Sequence, residues 1–221
     1  MICFSYSRLS CYKQCPLKYK YHYIDKIEVK TERAALIKGS KIHSILENIE
    51  TFEYNPQAEH HNIVNNFAKS EIGSEILSRP SIREHCIKLN ENLEADDSLT
   101  KKTARMIGYI DRVNTTENGV DLIDYKTGKY KDMRWQDFEQ LGIYGIYMFS
   151  KFPQLNELNL RYVYVEHAKE NTKVLTREES DIKKITLKAE LDAIENQTHF
   201  APKKQVLCDW CDFKNICEAH K

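Results

Sequence analysis

Residues 104–127 constrain the fold more than any other part of the chain. The segments "ARMIGYIDRVNT" at 104–115 and "VDLIDYKT" at 120–127 are rich in β-branched, aromatic and aliphatic residues, which is typical of strands. The sequence "TENG" at 116–119 separates them and favours a tight turn. We therefore predict a β-hairpin over 104–127.

The second strand of this hairpin carries an acid and an amine among apolar residues. Asp124 and Lys126 are two residues apart, so they lie on the face that also carries Val120 and Leu122. Asp111, late in the first strand, lies across the turn from them. Two carboxylates from adjacent strands are suitable ligands for Mg²⁺ or Mn²⁺, and a nearby lysine can orient a water and stabilise charge at a phosphate. A simple ion pair at the strand end is the alternative interpretation.

Composition favours a soluble globular protein, and we expect a single domain over residues 1–221. The chain is 41% hydrophobic and 30% charged, and it contains no apolar run near the length of about 20 residues that a membrane helix needs. Because 33 basic residues balance 33 acidic ones, net charge does not favour nucleic-acid binding, and local patches must supply any such support. We expect a cytoplasmic protein with no membrane partner, from a prokaryote or from a virus acting in the host cytoplasm.

The remaining periodicity predicts an α/β chain. A helix over 5–25 is interrupted at Cys15-Pro16, where the proline restricts the preceding residue. The other predicted elements are helices at 34–50, 135–150 and 178–197, one or two helices within 57–92, and a strand at 158–166.

Two helices carry polar pairs at helical spacing. In "GSKIHSILE" the spacing puts His43 and Glu47 on a common face, and "QLGIYGIY" does the same for Gln140 and Tyr144. Each pair, taken alone, is also compatible with ordinary packing or a solvated helix face. Only their order along the chain, together with the hairpin, makes them informative.

In this order, "GSKIH", "GYIDR", "DYKTG" and "QLGIY" closely resemble the motifs of the RecB-like branch of the PD-(D/E)XK nuclease superfamily. The resemblance covers residues 39–144. It implies a restriction-endonuclease-like core, in which a small mixed central sheet is flanked by helices. We expect this core to occupy residues 31–197, with a helical insert at about 51–92.

The resemblance also implies roles for individual residues. It implies a divalent-metal site formed by the side chains of His43, Asp111 and Asp124 and the backbone carbonyl of Tyr125. Lys126 would position or activate the attacking water, so that Asp111, Asp124 and Lys126 form the catalytic set. Gln140 and Tyr144 would support this site or contact DNA.

The cysteines form a second, independent signal. Cys208, Cys211 and Cys217 have the spacing C-x2-C-x5-C, which favours metal binding in a reduced compartment. An iron–sulfur cluster is favoured and zinc is the alternative, because four thiolates suit both. Spacing alone does not select the fourth ligand from the remaining cysteines, which are Cys3, Cys11, Cys15 and Cys86.

The N-terminal sequence "SYSRLSCYKQCPLKYKYHY" is similar to that of AddB-type nuclease domains and CRISPR-adaptation RecB-like exonucleases. Those families begin with a serine-rich helix and a Cys-Pro followed by aromatics. The resemblance implies a [4Fe-4S] cluster held by Cys15, Cys208, Cys211 and Cys217, which would join segments 1–30 and 198–221. The other three cysteines are then expected to be ordinary buried thiols.

Together these features predict a metal-dependent DNA exonuclease acting on single-stranded or end-containing DNA in recombination, repair or CRISPR-type processing. Basic and aromatic residues at 18–23 and 126–134 are suited to DNA contacts. A helicase, recombination or integrase protein is the expected partner. The alternative is an iron–sulfur DNA-binding or scaffold subunit with little activity of its own. The presence of all four site side chains argues against this alternative; they are His43, Asp111, Asp124 and Lys126.

Overall fold

The computed structural model describes residues 2–29, 34–116 and 119–220. Its central element is a five-stranded mixed sheet with the order β1-β2-β3-β4-β5. The strands are β1 (Ser81–Leu89), β2 (Met106–Thr116), β3 (Gly119–Lys126), β4 (Glu157–Tyr164) and β5 (Lys169–Thr176). Neighbouring strands are antiparallel except for the parallel pair β3 and β4.

Seven helices surround or extend this sheet in the described part of the chain. They are α1 (Tyr6–Gln14), α2 (Pro16–Tyr19), α3 (Ala34–Glu47), α4 (Glu59–Lys69), α5 (Glu71–Ser78), α6 (Glu139–Lys151) and α7 (Arg177–Glu195). A wide helical turn, Lys20–Ile24, continues α2, and shorter turns connect other elements. None of the described helices is long and apolar enough to cross a membrane.

The predicted hairpin is confirmed as β2 and β3. Thr116 pairs with Gly119 at its closed end, and the register continues to Arg112 opposite Ile123. Residues 117 and 118 of the predicted turn lie outside the described residues. Residues 30–33 also lie outside them, and these include the expected boundary between the N-terminal segment 1–30 and the core 31–197.

The alternation of β3 divides the protein into two hydrophobic cores. Leu122 faces a large core built with α1, α6 and α7, whereas Ile123 and Tyr125 face a smaller core built with α3, α4 and α5. The result is an α/β arrangement with helices on both faces of a mixed sheet, which agrees with the fold class predicted from the sequence. Because β3 contributes to both cores, its side chains are held from two sides.

Two strands were not predicted correctly. One or two helices and no strand were expected within 57–92, but α4 and α5 end by Ser78 and residues 81–89 form β1. Ile82, Cys86 and Leu89 have helical spacing, yet pairing with β2 overrides that local pattern. No strand was predicted at β5, because this edge strand is mostly polar and exposed.

Helix α6 begins four residues later than the predicted helix 135–150. The Asp137 side chain accepts a hydrogen bond from the Glu139 backbone N–H at 2.9 Å, and residues 133–135 form a separate turn. Residues 141–149 are all buried, because α6 packs between the sheet and α7. Strand β4 ends at Tyr164 rather than 166, where a helical turn follows.

The two terminal segments pack against each other. The predicted break at Cys15-Pro16 is confirmed, since Cys15 is extended and Pro16 begins α2. The Gln205 side chain donates to the Gln14 backbone carbonyl at 2.8 Å. The rings of Tyr19 and Phe200 also stack, with centroids 6.1 Å apart. These contacts bring the early and late cysteines to one end of the molecule. The single-domain organisation stays a prediction.

A charged cluster holds the edge of the sheet to α5. Arg161 of β4 donates to Asp121 of β3 and Glu170 of β5 at 2.8 Å each, and to Glu75 of α5 at 2.9 Å. The side chains of Arg161 and Asp121 are only 11% and 5% exposed. Asp121 therefore depends on Arg161 for charge compensation.

We expect Arg161→Ala to lower the free energy of unfolding by about 3–5 kcal/mol, because it leaves the buried carboxylate of Asp121 unpaired. Arg134→Ala is the matched control, since Arg134 is 80% exposed and pairs with the exposed Asp132. The control is expected to change stability by less than about 1 kcal/mol. Urea unfolding of both variants measures the difference, and equal losses would contradict this account of the cluster.

Candidate active site

Strands β1 and β2 are distorted where they cross the predicted site. The paired residues of the two strands flank Glu84 and Asp111 but do not include them. Glu84 has a φ of 47°, a left-handed conformation that strains a non-glycine residue. Backbone distortion within a strand re-aims side chains, and here both affected residues are acids.

Asp111 also interrupts the ladder between β2 and β3. Its Oδ2 accepts the backbone N–H of Tyr125 at 2.7 Å. The carboxylate therefore holds the end of β3, while remaining close to the side chains of α3.

Three side chains from three elements converge at this point. His43 of α3, Glu84 of β1 and Asp111 of β2 each offer a ligand atom, and these atoms lie within 4.8 Å of one another. His43 Nδ1 is 3.4 Å from Asp111 Oδ2. An imidazole and two carboxylates form a donor set that suits a divalent cation.

The electrostatics of the site also favour a cation. Burial, followed by the negative charge of Asp111, raises the pKa of Glu84. Burial lowers the pKa of His43, but the hydrogen bond to Asp111 and the negative charges of Asp111, Asp124 and Glu84 together outweigh burial, and the net shift is upward. Burial raises the pKa of Asp124 to about 6, against the opposing effect of Lys126. A bound divalent ion would compensate these crowded carboxylates.

Asp124 and Lys126 form a pair beside this group. Lys126 Nζ lies 2.6 Å from Asp124 Oδ2 and donates to Gln140 Oε1 at 3.2 Å. It also lies 4.5 Å from the ring centroid of Tyr162. The ammonium is thus held in position by a carboxylate, an amide and an aromatic face.

Gln140 and Tyr144 connect this pair to the motif glycine of β2. Gln140 Nε2 donates to the Tyr144 hydroxyl at 3.2 Å. A Cβ atom on Gly108 would lie 2.6 Å from Cε1 of Tyr144, so a side chain there would displace the ring. The glycine of "GYIDR" therefore provides the space in which Tyr144 supports Gln140, and through it Lys126.

The glycine of "GSKIH" has a similar explanation. A Cβ on Gly39 would lie 3.0 Å from Oγ1 of Thr127, so α3 approaches the end of β3 closely at this position. That approach brings His43, one turn further along α3, to Asp111. Gly128 has open space around it, and nothing in the structure explains its place in "DYKTG".

The structure brings most of the predicted residues into one open cleft. His43, Asp111, Asp124, Lys126 and Gln140 all line it, and Tyr144 supports it from behind. In the described chain Asp124 is paired with Lys126 and is not in the three-residue ligand group. The metal contact of the Tyr125 carbonyl stays a prediction.

Sequence reasoning missed Glu84. The residue lies in the segment that was interpreted as helical, where its relation to Asp111 could not be seen. Glu47, which shares a helix face with His43, was noted instead, but Glu47 is exposed and lies outside the ligand group. A correct strand assignment for 81–89 would have placed Glu84 opposite Asp111.

The four cysteines predicted as ligands line a second cavity, which lies between the terminal segments. Backbone N–H groups of Lys203 and Gln205 donate to the sulfurs of Cys15 and Cys208, each at 3.4 Å. Such amide–sulfur bonds are typical of thiolate ligands.

Among the described residues, no three cysteine sulfurs lie within 4.8 Å of one another, so the four predicted ligands do not form a compact ligand group. The three remaining cysteines are partly buried rather than fully buried, and Cys11 packs against the large core.

Comparison with known proteins identifies the class. The profile of the PD-(D/E)XK nuclease superfamily matches residues 3–218, and the chain therefore belongs to this superfamily. Nucleases of this superfamily use divalent metals, and the group of His43, Glu84 and Asp111 could hold one. None of the curated proteins matches the chain.

Two solved structures share its fold. The crystal structure of SSO0001 aligns with a TM-score of 0.54 and 16% identity, covering 99% of this chain and 87% of that one. A candidate exonuclease from Eubacterium rectale aligns with a TM-score of 0.55 and 14% identity, covering 95% of this chain and 86% of that one. At these identities the likeness concerns the fold alone.

We expect Glu84→Gln to weaken the binding of Mn²⁺ by more than about tenfold, since even an outer-shell partner is typically worth 10- to 100-fold in metal affinity. Without metal, the same change is expected to stabilise the fold slightly, because it removes repulsion from Asp111. Paramagnetic resonance of free Mn²⁺ and thermal unfolding in chelator measure the two effects.

Glu47→Gln is the control for this experiment, since Glu47 is a nearby but exposed acid. An unchanged Mn²⁺ affinity in Glu84→Gln, or an equal loss in Glu47→Gln, would remove Glu84 from the metal site.

Proposed function

We propose that this chain is a Mg²⁺- or Mn²⁺-dependent DNA exonuclease that acts on single-stranded or end-containing DNA. The observation that carries the proposal is the convergence of the His43–Glu84–Asp111 group and the Asp124–Lys126 pair in one open cleft. A ligand group next to an ordered ammonium is the arrangement that hydrolysis of a phosphodiester needs.

In this proposal His43, Glu84, Asp111 and Asp124 hold the metal, together with the Tyr125 carbonyl. When bound, the divalent ion supplies charge neutralisation at the scissile phosphate and a lowered pKa for a coordinated water. Because α3, β1, β2 and β3 each contribute, the ligands are oriented by the sheet and its packing rather than by a flexible loop.

Lys126 acts on the attacking water and on the phosphate. An ammonium has three donors, and the described chain occupies two of them with Asp124 and Gln140. The third can donate to the water or to a phosphate oxygen as negative charge develops there. The water oxygen then bonds to phosphorus and gives up a proton to solvent, the phosphodiester P–O bond breaks, and the departing oxygen takes a proton from solvent. Gln140 and Tyr144 position the lysine and do not react.

The exonuclease assignment rests on the resemblance of the motifs, with the fold likeness to a candidate exonuclease as support. The resemblance also supports a role in recombination, repair or CRISPR-type DNA processing in the cytoplasm, with a helicase, recombination or integrase partner. Basic and aromatic residues at 126–134, beside the cleft, support a DNA substrate.

We also propose that Cys15, Cys208, Cys211 and Cys217 hold a [4Fe-4S] cluster that joins the terminal segments. Support comes from the cavity that the four cysteines share and from the backbone donors to two of the sulfurs. The cluster has a structural role in this proposal, because its cavity is separate from the cleft that contains Lys126.

The proposed activity predicts that linear single strands are degraded progressively with Mn²⁺ or Mg²⁺, and that closed single-stranded circles are cut much more slowly. Asp124→Asn and Lys126→Ala are expected to abolish cleavage while the protein stays folded, because they remove a ligand and the ordered ammonium rather than core packing. End-labelled DNA and circular dichroism provide the two measurements.

Lys102→Ala is the matched control, because Lys102 is an exposed lysine that does not line the cleft. It is expected to retain cleavage. Near-normal cleavage by Lys126→Ala, or cleavage that persists in chelator, would reject the active site, and equal rates on circles and linear strands would indicate an endonuclease.

For the cluster, we expect Cys15→Ala to lower solubility and DNA cleavage together, although Cys15 is not a catalytic residue. Closing a loop of almost the whole chain constrains the unfolded state by roughly 5 kcal/mol, comparable to the stability of a small domain. Cys11→Ala is the control and is expected to retain the cofactor. Iron and acid-labile sulfide after oxygen-free purification measure the outcome.

Loss of iron in Cys11→Ala but not in Cys15→Ala would mean that the wrong thiol has been assigned. Zinc in place of iron under the same conditions would reject the iron–sulfur cluster while retaining a metal that joins the termini.

A further inference from the structure

The connection from β3 to α6 forms one wall of the cleft. We call residues 127–138 the wall loop. Gly128, Lys129, Lys131, Gln136 and Asp137 of this loop all line the cleft. Twelve residues are long for a connection in a compact domain, and loops of this length often carry function.

The wall loop is firmly anchored to the sheet. Asn171 of β5 is buried, and its Nδ2 donates to the Lys131 backbone carbonyl at 2.7 Å. The Tyr164 hydroxyl donates to Gln136 Oε1 at 2.6 Å, and the Tyr130 hydroxyl donates to Asn171 Oδ1 at 3.1 Å. These bonds tie three positions of the loop to β4 and β5. The backbone that carries its outward side chains is therefore held in a defined position.

The anchored loop presents a large aromatic side chain to solvent. Trp135 is 71% exposed and is followed directly by Gln136, which lines the cleft. Met133 is also exposed, at 45%. A tryptophan held on a rigid loop beside a cleft is a preformed platform for a flat apolar ligand.

The charges around this platform suit a polyanion. Lys129 and Lys131 line the cleft and form no ion pair with any described residue. Arg134, adjacent to Trp135, pairs only with Asp132 inside the same loop among the described residues. An aromatic face combined with unpaired lysines is the combination that binds bases and phosphates of a single strand.

We propose that Trp135 stacks on a base of single-stranded DNA next to the active cleft, while Lys129 and Lys131 contact the adjoining phosphates. This inference rests on the proposed function and specifies its substrate as a strand with unpaired bases. In duplex DNA the base faces are covered by their neighbours, so the platform discriminates against a duplex.

The chain contains a natural control for this proposal. It has two tryptophans, and Trp210 in the C-terminal segment is 70% exposed, almost the same as Trp135. Trp210 lies outside the wall loop and does not line the cleft. The two residues therefore separate the effect of position from the effect of an exposed indole.

The experiment uses the full chain with divalent metal chelated, so that DNA is bound but not cut. A Trp210→Phe protein has Trp135 as its single tryptophan, and a Trp135→Phe protein has only Trp210. Each is titrated with an oligothymidylate, with an abasic strand of the same length, and with a duplex. We expect the oligothymidylate to quench Trp135 fluorescence, and the abasic strand and the duplex to leave it nearly unchanged.

Binding is then compared for Trp135→Ala and Trp210→Ala at fixed salt. Loss of one stacked base is expected to weaken oligothymidylate binding at least about fivefold in Trp135→Ala. Abasic-strand binding is expected to be unchanged, and Trp210→Ala is expected to bind both strands normally. Trp135→Phe is expected to recover most of the affinity, because a phenyl ring still offers a face.

Equal losses for thymidylate and abasic strands, equal quenching by duplex, or equal effects of the two tryptophans would each overturn the stacking site. If the wild-type protein cleaves DNA and Trp135→Ala binds normally, only this inference fails. If the wild-type protein neither binds nor cleaves any of the three DNAs, the proposed function fails with it.

Discussion

The site depends on one hydrogen bond, in which the Asp111 carboxylate accepts the backbone N–H of Tyr125 at 2.7 Å. In a regular ladder a carbonyl would satisfy that N–H. Here a side chain does so, and the pairs between β2 and β3 end at Arg112 and Ile123. Because the same carboxylate lies beside His43 and Glu84, one residue both ends the backbone pairing and joins the ligand group. The end of the strand pairing and the formation of the ligand group therefore depend on the same carboxylate.

The site requires support from elements that are distant in sequence. Gly39 lets α3 approach Thr127, and Gly108 leaves space for the ring of Tyr144. Tyr144 in turn supports Gln140, which holds the ammonium of Lys126. The glycines of the two motifs thus act through close packing rather than through unusual backbone angles, since neither has a positive φ. Burial of Asp124 beside Lys126 completes the arrangement, at the expense of a raised pKa for the acid.

The terminal segments illustrate a second constraint, which is the length of chain between the early and late cysteines. Contacts such as the Tyr19–Phe200 stack and the Gln205–Gln14 hydrogen bond bring these ends together. They leave much of the apolar surface at Val206, Leu207 and Trp210 exposed. The proposed cluster would therefore add most to stability where packing contributes least.

The sequence by itself determined the hairpin, the break at Cys15-Pro16, the mixed α/β class and the residues Asp111, Asp124 and Lys126 of the cleft. The hairpin and the break are encoded locally, in strand composition and turn residues, whereas the mixed sheet and the cleft residues were implied by the order of the motifs and their resemblance to a known family. Only the tertiary structure decided that 81–89 is a strand, because pairing with β2 overrides the helical spacing of its apolar residues. Because 81–89 is a strand, Glu84 lies near Asp111. This approach depends on the register between β1 and β2 and on the strained φ of Glu84. Strand β5 and the anchoring of the wall loop by Asn171 were likewise decided by contacts between distant segments, which periodicity within one segment does not record.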